Sequence, residues 1–150
     1  MASQAFTSAG TTIGIVAGDP SSYDATGFEA LTFDLIGEVT DLGEFGREYS
    51  LVTHNPLGDR QTVKRKGSFN DGSIAMTVAR VPGDSGQSEL ITALDSDDNY
   101  SFNVTLQDGT ELYFSAQVMS YTANVGSVDQ ITSASITLEI TDEIIEVAPA

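Results

Sequence analysis

Apolar side chains in this chain recur at every second position far more often than at every third or fourth, the spacing of strands with one face on a core. Tyr100, Phe102, Val104 and Leu106 alternate with Ser101, Asn103 and Thr105; Leu112, Phe114, Ala116 and Val118 alternate with Tyr113, Ser115 and Gln117. The same rhythm runs through Ile13, Ile15 and Ala17, through Leu31, Phe33 and Leu35, through Ile74, Met76 and Val78, and through Ile136, Leu138 and Ile140. Six strands follow, and the fold class they predict is mainly β, a two-sheet β-sandwich or barrel in a single domain over residues 1–150.

The turn in NYSFNVTLQDGTELYFSAQV tests the register, because residues paired across an antiparallel ladder share a face. A two-residue Asp108-Gly109 loop would set inward Leu106 against outward Glu111. A three-residue loop, Gln107-Asp108-Gly109 with Gly109 left-handed, instead pairs Leu106 with Thr110, Val104 with Leu112 and Phe102 with Phe114. The second register is predicted.

One segment breaks the period of two. In VPGDSGQSELITALDSDD, Leu90, Ile91 and Leu94 take helical spacing, Asp84 is placed to cap, and Gln87 stands three residues on as in a capping box. One short flanking helix of about ten residues is predicted, its C-terminal end running into Asp95, Asp97 and Asp98 against the helix dipole. Residues 37–72 show only weak alternation, and a stretch of that length in a compact domain is usually functional, disordered, or ordered by a partner. Residues 40–70 are read as a long loop or hairpin arm, and residues 1–10 and 146–150 as terminal arms.

Charge sharpens the interest of that stretch. The chain has 22 acidic and six basic residues and a net charge of −16, which disfavours binding to nucleic acid or anionic lipid. Five of the six cations, Arg47, Arg60, Lys64, Arg65 and Lys66, fall within the weakly patterned segment. The Lys64-Arg65-Lys66 run lacks the interleaved stacking aromatics of a nucleic-acid site. It reads either as a solvated face or as a docking surface, complementary to the acidic remainder of another copy, and head-to-tail complementarity of that kind generates rings or filaments.

Little else carries chemistry. There is no Cys, the one histidine, His54, has no nucleophile or carboxylate framing it, and no metal or cofactor site is expected. DSDDN at 95–99 has the early spacing of a calcium loop but places Tyr100 where Gly is needed and Leu106 where a bidentate Glu is needed. MASQAFTSAG lacks the basic and apolar regions of a signal peptide, and no stretch approaches a membrane span; a soluble, unexported protein that does not bind membranes is expected.

SAGTTIGI at residues 8–15 resembles the start of the tail tube proteins of lambda-type, non-contractile bacteriophages, and PGDSGQSEL at 82–90 resembles the opening of that family's helix. The helix is followed, as in that family, by a strand, a short turn and another strand, and the ordered resemblance covers essentially the whole chain. It implies a structural virion protein and not an enzyme. Six copies would form a ring, and rings would stack, after assembly in the host bacterial cytoplasm, into a hollow tube through which DNA is delivered without specific binding. The arm over residues 40–70, with Arg47, Arg60, Lys64, Arg65 and Lys66, would meet a neighbouring subunit or ring. Implied partners are further copies of the chain and the tail tape measure, initiator and terminator proteins. Asp34, Glu111 and Glu139, on the outward parity of their strands, would be lumen-facing candidates, since an acidic wall keeps phosphate from adhering. Two other readings remain open: a β-sandwich binding module on a cell or virion surface, near whose long loop only Phe45, Tyr49 and Phe69 lie, and the tube ring protein of a contractile tail or type VI secretion system.

Overall fold

The computed structural model describes residues 3–149; residues 1, 2 and 150 of the two expected terminal arms lie outside the described residues. The elements in order are β1 (Thr12–Ala17), α1 (Ala25–Glu29), β2 (Asp34–Leu35), β3 (Val39–Asp41), β4 (Glu48–His54), β5 (Val63–Asn70), β6 (Ser73–Ala79), α2 (Ser85–Leu94), β7 (Tyr100–Thr105), β8 (Glu111–Asn124), β9 (Ser133–Ile140) and β10 (Ile145–Val147). One antiparallel sheet runs β2-β1-β7-β8-β9-β6-β3, with β10 beside the start of β8, and it curls into a half-barrel. A second sheet consists of β4 and β5 alone.

The period of two fills the concave side. Ile13, Ile15, Ile74, Met76, Val78, Phe102, Val104, Phe114, Ala116, Ile136 and Leu138 are buried together, and α2 closes the core with Leu90 and Ala93. Phe102 and Phe114 face each other across β7 and β8 with ring centroids 5.5 Å apart, the register predicted from the turn. Leu106 N–H donates to Thr110 O at 2.8 Å, Gly109 N–H to Leu106 O at 3.0 Å, and Gly109 has φ +96°.

Helix α2 begins where Asp84 predicts, its carboxylate accepting from Gln87 N–H at 3.0 Å. The reciprocal half of the box is absent. Gln87 turns inward and donates from Nε2 to the carbonyls of Gly37 and Ala79, while its Oε1 accepts from Val81 N–H. Three backbone groups that β3 and β6 leave behind at the helix start are thereby satisfied, as buried polar groups must be.

The strand expected over Leu31, Phe33 and Leu35 shrinks to two residues with its parity reversed. Asp34 pairs with inward Ile15, and Leu35 is exposed. Upstream, Asp24 caps α1 by accepting from Gly27 N–H at 2.7 Å, and the turn of helix drives Phe28 onto the convex face of the sheet. There Phe28 stacks on Tyr113 at 5.4 Å and meets Tyr23 edge-on at 5.0 Å. Tyr113 and Ser115, on the polar parity of β8, are therefore buried under a second, smaller layer that period counting does not reveal. Part of the C-terminal segment expected to be an arm is strand instead: β10 pairs with β8 from Ile145 to Val147.

Candidate functional site: the cationic hairpin arm

The weakly alternating segment is ordered as strands. β3 joins the main sheet beside β6, and β4 and β5 form a hairpin whose strands pack principally on each other. All seven residues of β4 are exposed. Alternation is weak here because neither face of this ribbon meets a core, so nothing selects for an apolar side.

Each face of the ribbon mixes apolar and cationic side chains. Leu51 pairs with Lys66 and Thr53 with Lys64, and Lys66 Nζ lies 4.7 Å from the centroid of Tyr49 on the same face. Val52 pairs with Arg65, so the middle cation of the run points the other way. The register slips between Tyr49 and Leu51, a bulge that adds twist to an unsupported edge and keeps it from simple edge-to-edge pairing. At the tip, in the turn after β4, Leu57 is completely exposed, and Arg60 stands nearby in sequence. Residues 48–70 carry four cations against two acids, in a chain whose other residues include twenty acids and two cations.

Arg47 differs from the other four. It sits at the root, its Nε 3.4 Å from Asp71 Oδ1 and its Nη2 3.5 Å from Glu143 Oε2, with its guanidinium 4.2 Å from the Phe69 ring centroid. These are the ion pairs present among the described residues, and both lie within the chain. Arg60, Lys64, Arg65 and Lys66 are left to solvent. Asp71, Glu143 and Phe69 were missed as partners, since the loops that bring them together are far apart in sequence; the two glycines flanking the arm, Gly46 and Gly72, were the available signal.

The three acids expected to line a lumen do not share one face. Glu111 and Glu139 lie on the convex parity, Glu111 half-buried and accepting from Tyr113 O–H at 2.8 Å, Glu139 exposed opposite Ser73. Asp34, contrary to its expected outward parity, lies on the parity of the core residue Ile15 and reaches solvent at the sheet edge. DSDDN forms the turn from α2 into β7, where Ser96 Oγ accepts from Asp98 N–H. His54 ends β4, exposed on the arm. No helix among the described residues is long and apolar enough to cross a membrane.

Residues 32–144 match the family model of the lambda phage tail tube protein. The chain belongs to that family. It is a structural tail tube subunit, and its place is the phage virion tail. The fold agrees over nearly its full length with solved tubes and their relatives. The tail of an empty GTA particle, refined with C6 helical symmetry, superposes with TM-score 0.64 at 14% identity over 91% of this chain and 95% of that one. The SPP1 tail tube gives 0.62 at 15%, covering 91% of this chain and 75% of that one. A component of the anti-feeding prophage baseplate gives 0.68 at 10%, over 99% and 98%. Comparison with curated protein sequences finds no match. The anti-feeding prophage component thus shares the fold, while the family match is to the lambda type.

Proposed function

We propose that this subunit assembles with copies of itself into stacked hexameric rings enclosing a channel for DNA, and that it works by shape and charge without catalysis or a cofactor. The observation that carries the reading is the hairpin arm: a two-stranded ribbon, cationic and studded with exposed Tyr49, Leu51, Val52 and Leu57, projecting from an acidic body. A lone two-stranded ribbon is marginal in water, and exposed apolar side chains interleaved with cations fit an acidic protein surface better than solvent. The best-matched surface of that kind is the body of another copy. Arg60, Lys64, Arg65 and Lys66 are assigned to this contact, and Arg47 supports it from the root. Glu111 and Glu139, on one parity, are assigned to a wall that repels phosphate; Asp34 is not. Tape measure, initiator and terminator proteins complete the assembly on this reading.

Negative-stain microscopy of the purified subunit at rising concentration, with and without tail initiator, tests it. Rings or tubes of uniform diameter are expected. A subunit that stays monomeric under both conditions refutes the assembly.

A further inference from the structure

The root of the arm combines two features that together make a mechanical device. The chain enters the arm through Gly46, with φ +152°, and leaves it through Gly72, with φ +88°. The two passes touch: a Cβ on Gly72 would lie 3.2 Å from the carbonyl oxygen of Gly46. Both residues hold backbone conformations that L side chains rarely adopt and they lie at one level, with the carbonyl of Gly72 accepting from Ile140 N–H of the body at 3.1 Å. A ribbon with two glycine joints side by side, and its strands packed mainly on each other, has no covalent reason to hold one angle.

Arg47 supplies the reason. It directly follows Gly46, and its guanidinium joins two separate pieces of the protein: the end of the arm, through Phe69 in β5 and Asp71 just beyond it, and the body, through Glu143 in the link between β9 and β10. Asp71 is 93% buried by residue, so its carboxylate is costly to leave without a cation. Glu143 is held in turn, because Tyr23 O–H donates to its carbonyl at 2.6 Å and Tyr23 is packed against Phe28. The planar fork of Arg, unlike a Lys ammonium, can address two carboxylates and an aromatic face together.

We infer that the arm is a hinged unit, pivoting on Gly46 and Gly72 and held at one angle to the body by Arg47 through Glu143, with Asp71 orienting the guanidinium from the arm side. The lock lowers the ordering cost when the arm meets its partner, as pre-set binding elements do. That consequence rests on the assembly reading above; the lock itself does not.

The absence of native Cys allows the test to be made on the otherwise unmodified full chain. Spin labels at Leu57→Cys on the arm tip and Ile91→Cys on α2 report the angle as a distance distribution in the free subunit. A single narrow distribution is expected with Arg47 in place. Arg47→Ala and Glu143→Gln each widen it at least twofold, and Arg47→Lys falls between. Glu143 is exposed, so its variant keeps the fold and answers the question even if Arg47→Ala unfolds. Equal widths in all variants, or a broad distribution in the parent, overturn the lock. Where parent tubes form, the widened variants require a several-fold higher protein concentration to assemble, and an unchanged threshold overturns the pre-setting role. Parent protein that forms no tubes refutes the assembly reading, and the distance widths still decide the lock.

Discussion

The side-chain amide of Gln87 donates to the carbonyl of Gly37 at 3.0 Å, joining the first turn of α2 to the segment that leads into β3, fifty residues away in sequence. The same amide serves Ala79 O and Val81 N–H, and Gln87 is buried. Replacing it with Leu, similar in size, leaves three polar groups unpaired. A loss of roughly 3 kcal/mol is expected, since each such group costs about 1–3 kcal/mol and some rewetting follows. Urea unfolding followed by circular dichroism measures it, and a loss below about 1 kcal/mol would contradict the role.

Phe114 lies at the centre of the concave core, stacked on Phe102 and 5.9 Å from Phe45 at the foot of the arm. Phe114→Ala removes a fully buried ring between β7 and β9. Destabilisation of about 3–5 kcal/mol is expected, enough to remove much of the stability of an ordinary domain. The thermal transition reads it directly.

Stability should fall at alkaline pH through Tyr23. Burial, with the nearby charges of Asp142 and Glu143 adding to it, pushes its hydroxyl from 10.0 up to about 12 against the opposing hydrogen bond from Ser115. Below pH 10 the phenol is neutral in both folded and unfolded chains, and its contribution is complete. Between pH 10 and about 12 the unfolded chain loses the proton first, so unfolding is favoured as pH rises. Tyr113 adds to the same trend, raised by burial and by its bond to Glu111. Tyr23→Phe should be less stable at pH 7, by about 1 kcal/mol for its lost hydrogen bonds, yet show a shallower decline above pH 10. Melting temperatures measured from pH 7 to 12 separate the two effects.

Reversing two arm cations, Lys64→Glu with Arg65→Glu, should leave the melting temperature within a few degrees of the parent, because both side chains are exposed. Assembly should weaken by tenfold or more in protein concentration at low salt, and the difference should shrink as salt screens the contact. Light scattering across a salt series provides the check; identical assembly curves would remove these residues from the interface.

Much of the body was legible in the chain. Alternation at 100–118 and the shape of Gly109 set a hairpin register that holds residue for residue, because strand pairing there is governed by a nearby turn and one buried face. Asp84 announced α2 for the same reason, a cap being a contact between neighbours in sequence. Leu31, Phe33 and Leu35 misled, since a strand that lies under a convex layer obeys the packing of Phe28 and Tyr113, not its own alternation. Gln87 looked like half of a local box and proved to be a long-range tie.

The cationic segment divides the same way. Its composition, its length and its lack of a core-facing side are written in the sequence, and with them the expectation of an arm facing another molecule. Which cations are free and which is a fastener is not, because Arg47 and Lys64 carry the same charge and, beyond the glycine beside Arg47, the carboxylate that singles it out, Glu143, lies far away in sequence. Only the fold brings Glu143 to the root of the ribbon, and the ion pairs there single out Arg47 as the proposed fastener, while Arg60, Lys64, Arg65 and Lys66 face solvent.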